Sequence, residues 1–360
     1  MATVQIKSEQ ETKPVYQQMV GVDIAAQTFT ASRLVLAKPG TSKTKPEAAL
    51  SYQQTPVGFE KFEQLLLAKG FAPPATLIVM EATSTYWIGL AIFLHTQGFA
   101  VSVINPNQAH HFARAQLRRP KTDALDAQML VQLAEALVPQ TWSPPPQIYH
   151  ELQQRLQHRH SLLELRKTVK NQLHALLAST VIVEAVQEKM QALIDTFSQQ
   201  LTVVDKEIEE VVKQDKAWSS SINLLQTIPG VGPLTACWLV VATLNFSTCA
   251  KAEQLVQYAG LAPTERSSGT SIRSHAQIGH SGHPLLRGAL YMAAMSASRW
   301  NAVVKAFYDK LRAAGKPMKV ARIAAARKLV HLAFAVVKSG KAFDLEYATK
   351  KQTEPLAKAS

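Results

Sequence analysis

The sequence predicts a mixed α/β domain followed by an all-α half. Three observations predict it: short β-prone runs alternating with amphipathic stretches up to residue 143, three consecutive prolines at 144–146, and nearly continuous helical periodicity after them. A loose polar arm, residues 1–16, comes first. Met19-Val20-Gly21-Val22-Asp23 then reads as a short buried strand ending in an acid. Phe29 to Leu36 alternates like a half-buried strand, Pro39 to Lys45 is a turn, and Ala49 to Gln54 is a third strand, together an antiparallel meander. A helix follows over Val57 to Lys69. Pro73-Pro74 punctuates the chain before Ala75 to Met80, a second β-prone run that exits at an acid, Glu81. Trp87 to Thr96 reads as a helix, and Ala100 to Ile104 as a strand stopped by Asn105-Pro106. A basic hinge, Arg114 to Lys121, leads into the helix that carries Asp123 and Asp126. Strands first, then strands alternating with helices, imply a mixed sheet covered by helices over residues 17–143.

Three consecutive prolines cannot continue a helix, so they mark a boundary. Beyond them, residues 147–216 carry two apolar series at three- and four-residue spacing, Leu152 to Leu176 and Val183 to Val211. These predict two long helices in an antiparallel coiled-coil hairpin, either a dimerisation or spacer arm or a plain helical layer. Residues 217–345 form a further helical domain. Within it, Leu225-Gln226-Thr227-Ile228-Pro229-Gly230-Val231-Gly232-Pro233-Leu234 has the pattern of a helix-hairpin-helix turn, in which Gly230 and Gly232 let backbone N–H groups approach a phosphate. A tight corner between packed helices is the other reading. Ala262 to His283 is rich in Gly, Ser and His and reads as a long functional loop. Helices resume at Pro284, and residues 346–360 form a basic tail.

With 39 basic and 26 acidic residues the net charge is +13, which calls for a polyanionic partner. Residues 311–360 hold eleven Lys or Arg against three acids, a net +8, placing a nucleic-acid face near the C-terminus. Membrane is the weaker reading, because the longest apolar run, Ala236 to Leu244, is about half of what spans a bilayer. Residues 1–14 have no apolar core and do not read as a targeting signal, so a cytoplasmic protein is expected. The two cysteines, Cys237 and Cys249, are too few for a disulfide framework or a structural zinc site.

The stretch Lys121-Thr122-Asp123-Ala124-Leu125-Asp126 places two carboxylates three residues apart, on nearly one face of a helix. Such a pair repels unless a cation lies between. Asp23 and Glu81, at strand exits, would complete an all-oxygen Mg²⁺ cage. The bland alternative is that the two Asp cap or complement the helix dipole. Acids at the ends of separate elements in this order match the layout of ribonuclease-H-like nuclease domains, where bound Mg²⁺ polarises the scissile phosphate.

A resemblance extends over nearly the whole chain. Gly21-Val22-Asp23-Ile24-Ala25, Met80-Glu81-Ala82-Thr83-Ser84-Thr85-Tyr86, Val103-Ile104-Asn105-Pro106 and Lys121 to Ala127 are similar to the successive motifs of the DEDD insertion-sequence transposases, family one-ten with its eleven-eleven subgroup. Ile228 to Gly232, Tyr258 to Pro263, Ser268 to Arg273 and Gly282 to Met292 resemble that family's C-terminal domain. The resemblance implies a recombinase with a Holliday-junction-resolvase-like N-terminal domain, joined through a coiled coil to a domain bearing an essential serine. It implies that Asp23, Glu81, Asp123 and Asp126 bind Mg²⁺, and that Ser268 attacks a DNA phosphate to form a phosphoserine link. Taken without it, Ser267, Ser268 and Ser271 read as loop residues.

Candidate phosphate contacts are Arg118, Arg119, Lys121, Arg266, Arg273 and Arg287. The implied partners are target and donor DNA, a bridge RNA that pairs with both, and further copies of the chain, as a dimer or tetramer. Two other readings compete. One is a junction resolvase that uses only the four acids and water; the other is a nucleic-acid scaffold in which the acids merely cap helices.

Overall fold

A computed structural model gives the fold and describes residues 16–35, 45–116, 122–264, 267–268, 272–273, 277–279 and 282–346. The chain divides into two compact units, Met1–Pro144 and Pro145–Ser360.

The first unit is built on a five-stranded sheet of order β3-β2-β1-β4-β5. Its strands are β1 (Gln18–Ile24), β2 (Thr28–Val35), β3 (Leu50–Gln53), β4 (Thr76–Glu81) and β5 (Ala100–Ile104). The first three pair antiparallel, while β1 pairs with β4 and β4 with β5 in parallel. Because side chains alternate along a strand, the sheet feeds a core on each face. Val20, Val22, Ile78 and Met80 pack with Phe62 and Leu66 of α1 (Pro56–Ala68) and with Leu90 and Leu94 of α2 (Trp87–Thr96). Met19, Leu77 and Val79 pack on the opposite face with Leu130 and Leu133 of α4 (Asp123–Leu137).

One helix differs from the sequence reading. Asn105-Pro106 does end β5, but it also starts α3 (Pro106–Ala115). The Asn105 side chain accepts a hydrogen bond from the Asn107 N–H, and Pro106 takes the first helical position, where its missing donor costs nothing. Arg114, expected to open a hinge, therefore lies in this helix.

The second unit is helical. α5 (Gln147–Leu177) and α6 (Glu184–Gln214) run antiparallel, as their cross-contacts show: Arg155 pairs with Glu207, Arg159 with Asp205, and the Arg166 guanidinium donates to the Ser198 hydroxyl. Leu152 and Leu156 of α5 and Val204, Ile208 and Val211 of α6 enter the same core as the later helices. Those helices are α7 (Lys216–Gln226), α8 (Pro233–Ala242), α9 (Ala252–Tyr258), α10 (Pro284–Trp300), α11 (Ala302–Ala313) and α12 (Met318–Ser339). The far end of the hairpin leaves Leu177, Val181 and Val183 exposed.

The stretch expected to be an irregular loop carries two short ladders instead. β6 (Pro263–Thr264) pairs with β9 (Gln277–Ile278), and nested within it β7 (Ser267–Ser268) pairs with β8 (Ile272–Arg273). A hydrogen bond from the His283 N–H to the Tyr258 carbonyl, 2.8 Å, closes the base of this excursion. Gly260 and Gly282 meet there so closely that a Cβ on Gly282 would lie 2.5 Å from the Gly260 nitrogen.

Candidate catalytic carboxylate cluster

The four acids reach one place through backbone register. Val22 is paired with Met80, so Asp23 and Glu81 follow as neighbours at the exits of two parallel strands. Both belong to the alternation set of Met19, Leu77 and Val79, which faces α4. Gly21 brings the helix in. A Cβ at that position would lie 2.2 Å from the Ala127 carbonyl oxygen and 2.5 Å from the Val131 nitrogen, so only glycine lets the α4 backbone rest directly on β1. Asp123 and Asp126 occupy the first turn of that helix, at the Asp23 end of the strand.

Neither Asp caps α4, although both lie in its first turn, where the helix dipole favours an acid. Thr122, not either Asp, is the cap of α4, its hydroxyl accepting from the Leu125 N–H at 3.3 Å. Thr83 steadies Glu81, donating from its hydroxyl to Oε1 at 3.3 Å.

Electrostatics report the convergence. Burial first, then Asp126, Asp123 and Glu81, push the Asp23 carboxyl up to about 6. Repulsion of this kind acts over several ångströms, whereas Mg²⁺ needs oxygens at about 2.0–2.1 Å. The acids are accordingly neighbours rather than a closed cage: among the described residues, no three ligand-type side chains stand together at coordinating distance. The donor set is nevertheless all oxygen and carries surplus negative charge, which suits a hard divalent cation.

The other candidates divide. Arg118, Arg119, Lys121 and Arg266 lie outside the described residues. Ser268 is on β7, opposite Ile272, and Arg273 is on β8, opposite Ser267. Arg287 sits in the first turn of α10, its N–H bonded to the His283 carbonyl at 3.0 Å. Gly230 takes φ +101°, and a Cβ there would come within 2.6 Å of the Ala297 backbone, so this side of the turn is filled by α10. Gly232 has open space on its Cβ side and precedes Pro233 at the start of α8. The sequence reading passed over Gly21, Thr83 and Thr122, although a glycine inside a strand pattern is itself a sign of close backbone approach.

A DEDD family model described as "Transposase" matches residues 20–182, and a second, "Transposase IS116/IS110/IS902 family", matches residues 222–309. A pilin gene-inverting protein of Moraxella bovis is 30% identical over 331 residues, covering 90% of this chain and 97% of that protein. The chain belongs to the IS110 family of transposases. The pilin gene-inverting protein of Moraxella lacunata is similar to the same extent, 30% over 331 residues. A 43.6 kDa protein of insertion element IS110 from Streptomyces coelicolor is 32% identical over 152 residues, 41% of this chain and 37% of that one. As an IS110-family transposase the chain is an enzyme acting on DNA, and its DEDD-type domain suggests a divalent metal. No described helix is long and apolar enough to cross a membrane.

Proposed function

We propose that this transposase moves its own insertion element by Mg²⁺-dependent DNA cleavage, strand exchange and rejoining through a phosphoserine link. The observation that carries the reading is the strand register that sets Asp23 beside Glu81, with Asp123 and Asp126 in the first turn of the helix packed on that strand; the raised Asp23 carboxyl agrees with it. The antiparallel β3-β2-β1 meander continued by parallel β4 and β5 supports a ribonuclease-H-like, resolvase-like domain. Mg²⁺ held there would polarise a phosphate and stabilise the attacking and leaving oxygens.

Asp23, Glu81, Asp123 and Asp126 hold the ion, and Ser268 supplies the nucleophile. As its Oγ bonds to phosphorus, the bond from phosphorus to one sugar oxygen breaks, and the serine's proton ends on that oxygen as a free sugar hydroxyl. The phosphoserine keeps the bond energy until the hydroxyl of another strand attacks and frees the serine. The donor and target DNA are selected by a bridge RNA from the element's non-coding end, and the chain falls in the eleven-eleven subgroup. The +13 charge fits both nucleic acids. A homo-oligomer, dimer or tetramer, is supported by Val181 and Val183, 77% and 57% exposed at the far end of the α5–α6 coiled coil. Their names describe the Moraxella relatives as inverting a pilin gene, a rearrangement of the same cut-and-rejoin class.

Recombination of a plasmid carrying both element ends tests the reading. Ser268→Ala abolishes strand exchange and any covalent protein–DNA adduct. If exchange survives in that variant, the phosphoserine route is wrong, and cleavage by the four acids with water, as in a junction resolvase, takes its place.

A further inference from the structure

A second feature of the helical unit is an aromatic cleft of about 480 Å³ beside the base of the serine excursion. Its rings are Tyr149 from α5, Trp238 from α8, Tyr258 from the end of α9 and His283 at the start of α10. The His283 ring lies 5.6 Å from that of Trp238 and 5.8 Å from that of Tyr258, centroid to centroid. Tyr258 is 46% exposed and stands at the lip of the cleft.

The polar groups of the cleft are neutral hydrogen-bonding groups. His283 Nδ1 accepts from the Leu286 N–H at 3.1 Å, which leaves the ring proton on Nε2. Burial holds that imidazole below its ordinary pKa, in the uncharged form. The Gln153 amide hydrogen-bonds with the Tyr149 hydroxyl. Among the described residues that line the cleft, none is Lys, Arg, Asp or Glu. In a chain of net charge +13, a pocket for phosphate would be expected to carry cations. A neutral, ring-walled cleft lined also by the amides of Gln153 and Gln254 matches the flat face and hydrogen-bonding rim of a nucleobase.

Its place in the fold gives that match a purpose. The bond that closes the Ser268 excursion joins Tyr258 to His283, and both residues line the cleft. We propose that this cleft takes one unstacked nucleobase of the DNA substrate, stacked on Tyr258, and so fixes the strand at the root of the serine-bearing hairpin. The inference rests on the DNA-recombining reading given above. Proteins that take a base out of the stack hold it against aromatic side chains and read its edge with hydrogen bonds.

The test uses the full-length protein and four fluorescein-labelled probes. These are a duplex DNA with one central bulged adenine, the same duplex fully paired, the same bulge made abasic, and an RNA duplex with the bulged adenine. The bulged-adenine DNA binds about tenfold or more tighter than the paired and abasic duplexes, as stacking of one base implies. Tyr258→Ala removes the preference and Tyr258→Phe keeps it. Gln153→Leu, a change at a half-buried side chain of α5 that lines the cleft, also reduces it and carries the test if Tyr258→Ala does not fold.

Equal binding of the abasic and adenine bulges overturns the proposal, as does a preference that survives both Tyr258→Ala and Gln153→Leu. A stronger preference for the RNA bulge overturns the assignment to DNA. Failure to bind any of the DNA probes would count against the recombinase reading itself, whereas binding without base preference counts against the cleft alone.

Discussion

Asp23 is the acid whose ionisation burial and three neighbouring carboxylates disfavour. Its folded pKa of about 6 lies above the ordinary 3.8, so the folded state holds the proton more tightly than the unfolded chain. Stability from this group is therefore present at low pH and is lost as pH rises from about 3.8 to about 6. Without divalent ions, Asp23→Asn should melt above wild type at pH 7, with the gap closing toward pH 4. Partial exposure of the carboxyl limits the size of that gap. A thermal melt series across this range checks the sign; an unchanged gap would mean that Asp23 does not feel its neighbours. Gly21→Ala acts by geometry instead. Its methyl would press on the α4 backbone and cost about 1–3 kcal/mol, read as a lower melting temperature together with loss of DNA cleavage. The acids were legible in the sequence because each stands at the end of an element. Gly21 was present in the same motif and, as a glycine inside a strand, signals close backbone approach, but which backbone approaches is set by a helix far along the chain.

At the scale of elements, the glycine turn before α8 separates packing from exposure. Gly230→Ala meets both a positive φ and the Ala297 backbone, and is expected to destabilise by about 2 kcal/mol or more. Gly232→Ala enters open space and should change stability by less than about 1 kcal/mol. Equal melting temperatures for the two variants would contradict the placement of α10 against Gly230. The long helices α5 and α6 were legible because heptad-like spacing repeats over many turns. α3 was missed, although Asn105-Pro106 is a cap followed by a favoured first helical residue; it was read only as the end of a strand. The ladders β6–β9 and β7–β8 were missed for a different reason. Two-residue strands carry no periodicity, and they form because the base of the excursion is closed by residues outside it. At the hairpin's far end, Val181→Asp with Val183→Asp should lower the oligomeric state by light scattering while leaving the melting temperature nearly unchanged, since neither side chain belongs to the core.

At the scale of the molecule, charge and core location answer different questions. The +13 charge set the expectation of a polyanion, but it does not distinguish DNA from RNA. Membership of the IS110 transposase family, matched by models over residues 20–182 and 222–309, points to DNA. Composition placed a boundary at the three prolines, and the structure divides into units at Pro144 and Pro145. It did not foresee that α5 and α6 share a core with α7 to α12, because an amphipathic pattern shows that a helix has a buried face but not what covers it.

The central claim is that Asp23, Glu81, Asp123 and Asp126 form one metal-binding set in one folded unit. Calorimetric titration of Mg²⁺ into wild type and into Asp23→Asn, Glu81→Gln, Asp123→Asn and Asp126→Asn measures it directly. Wild type should take up the ion at pH 7.5, and each single variant should weaken uptake by at least about tenfold while remaining folded. Uptake left intact in any two of the four variants, or absent from wild type with DNA bound, would contradict it.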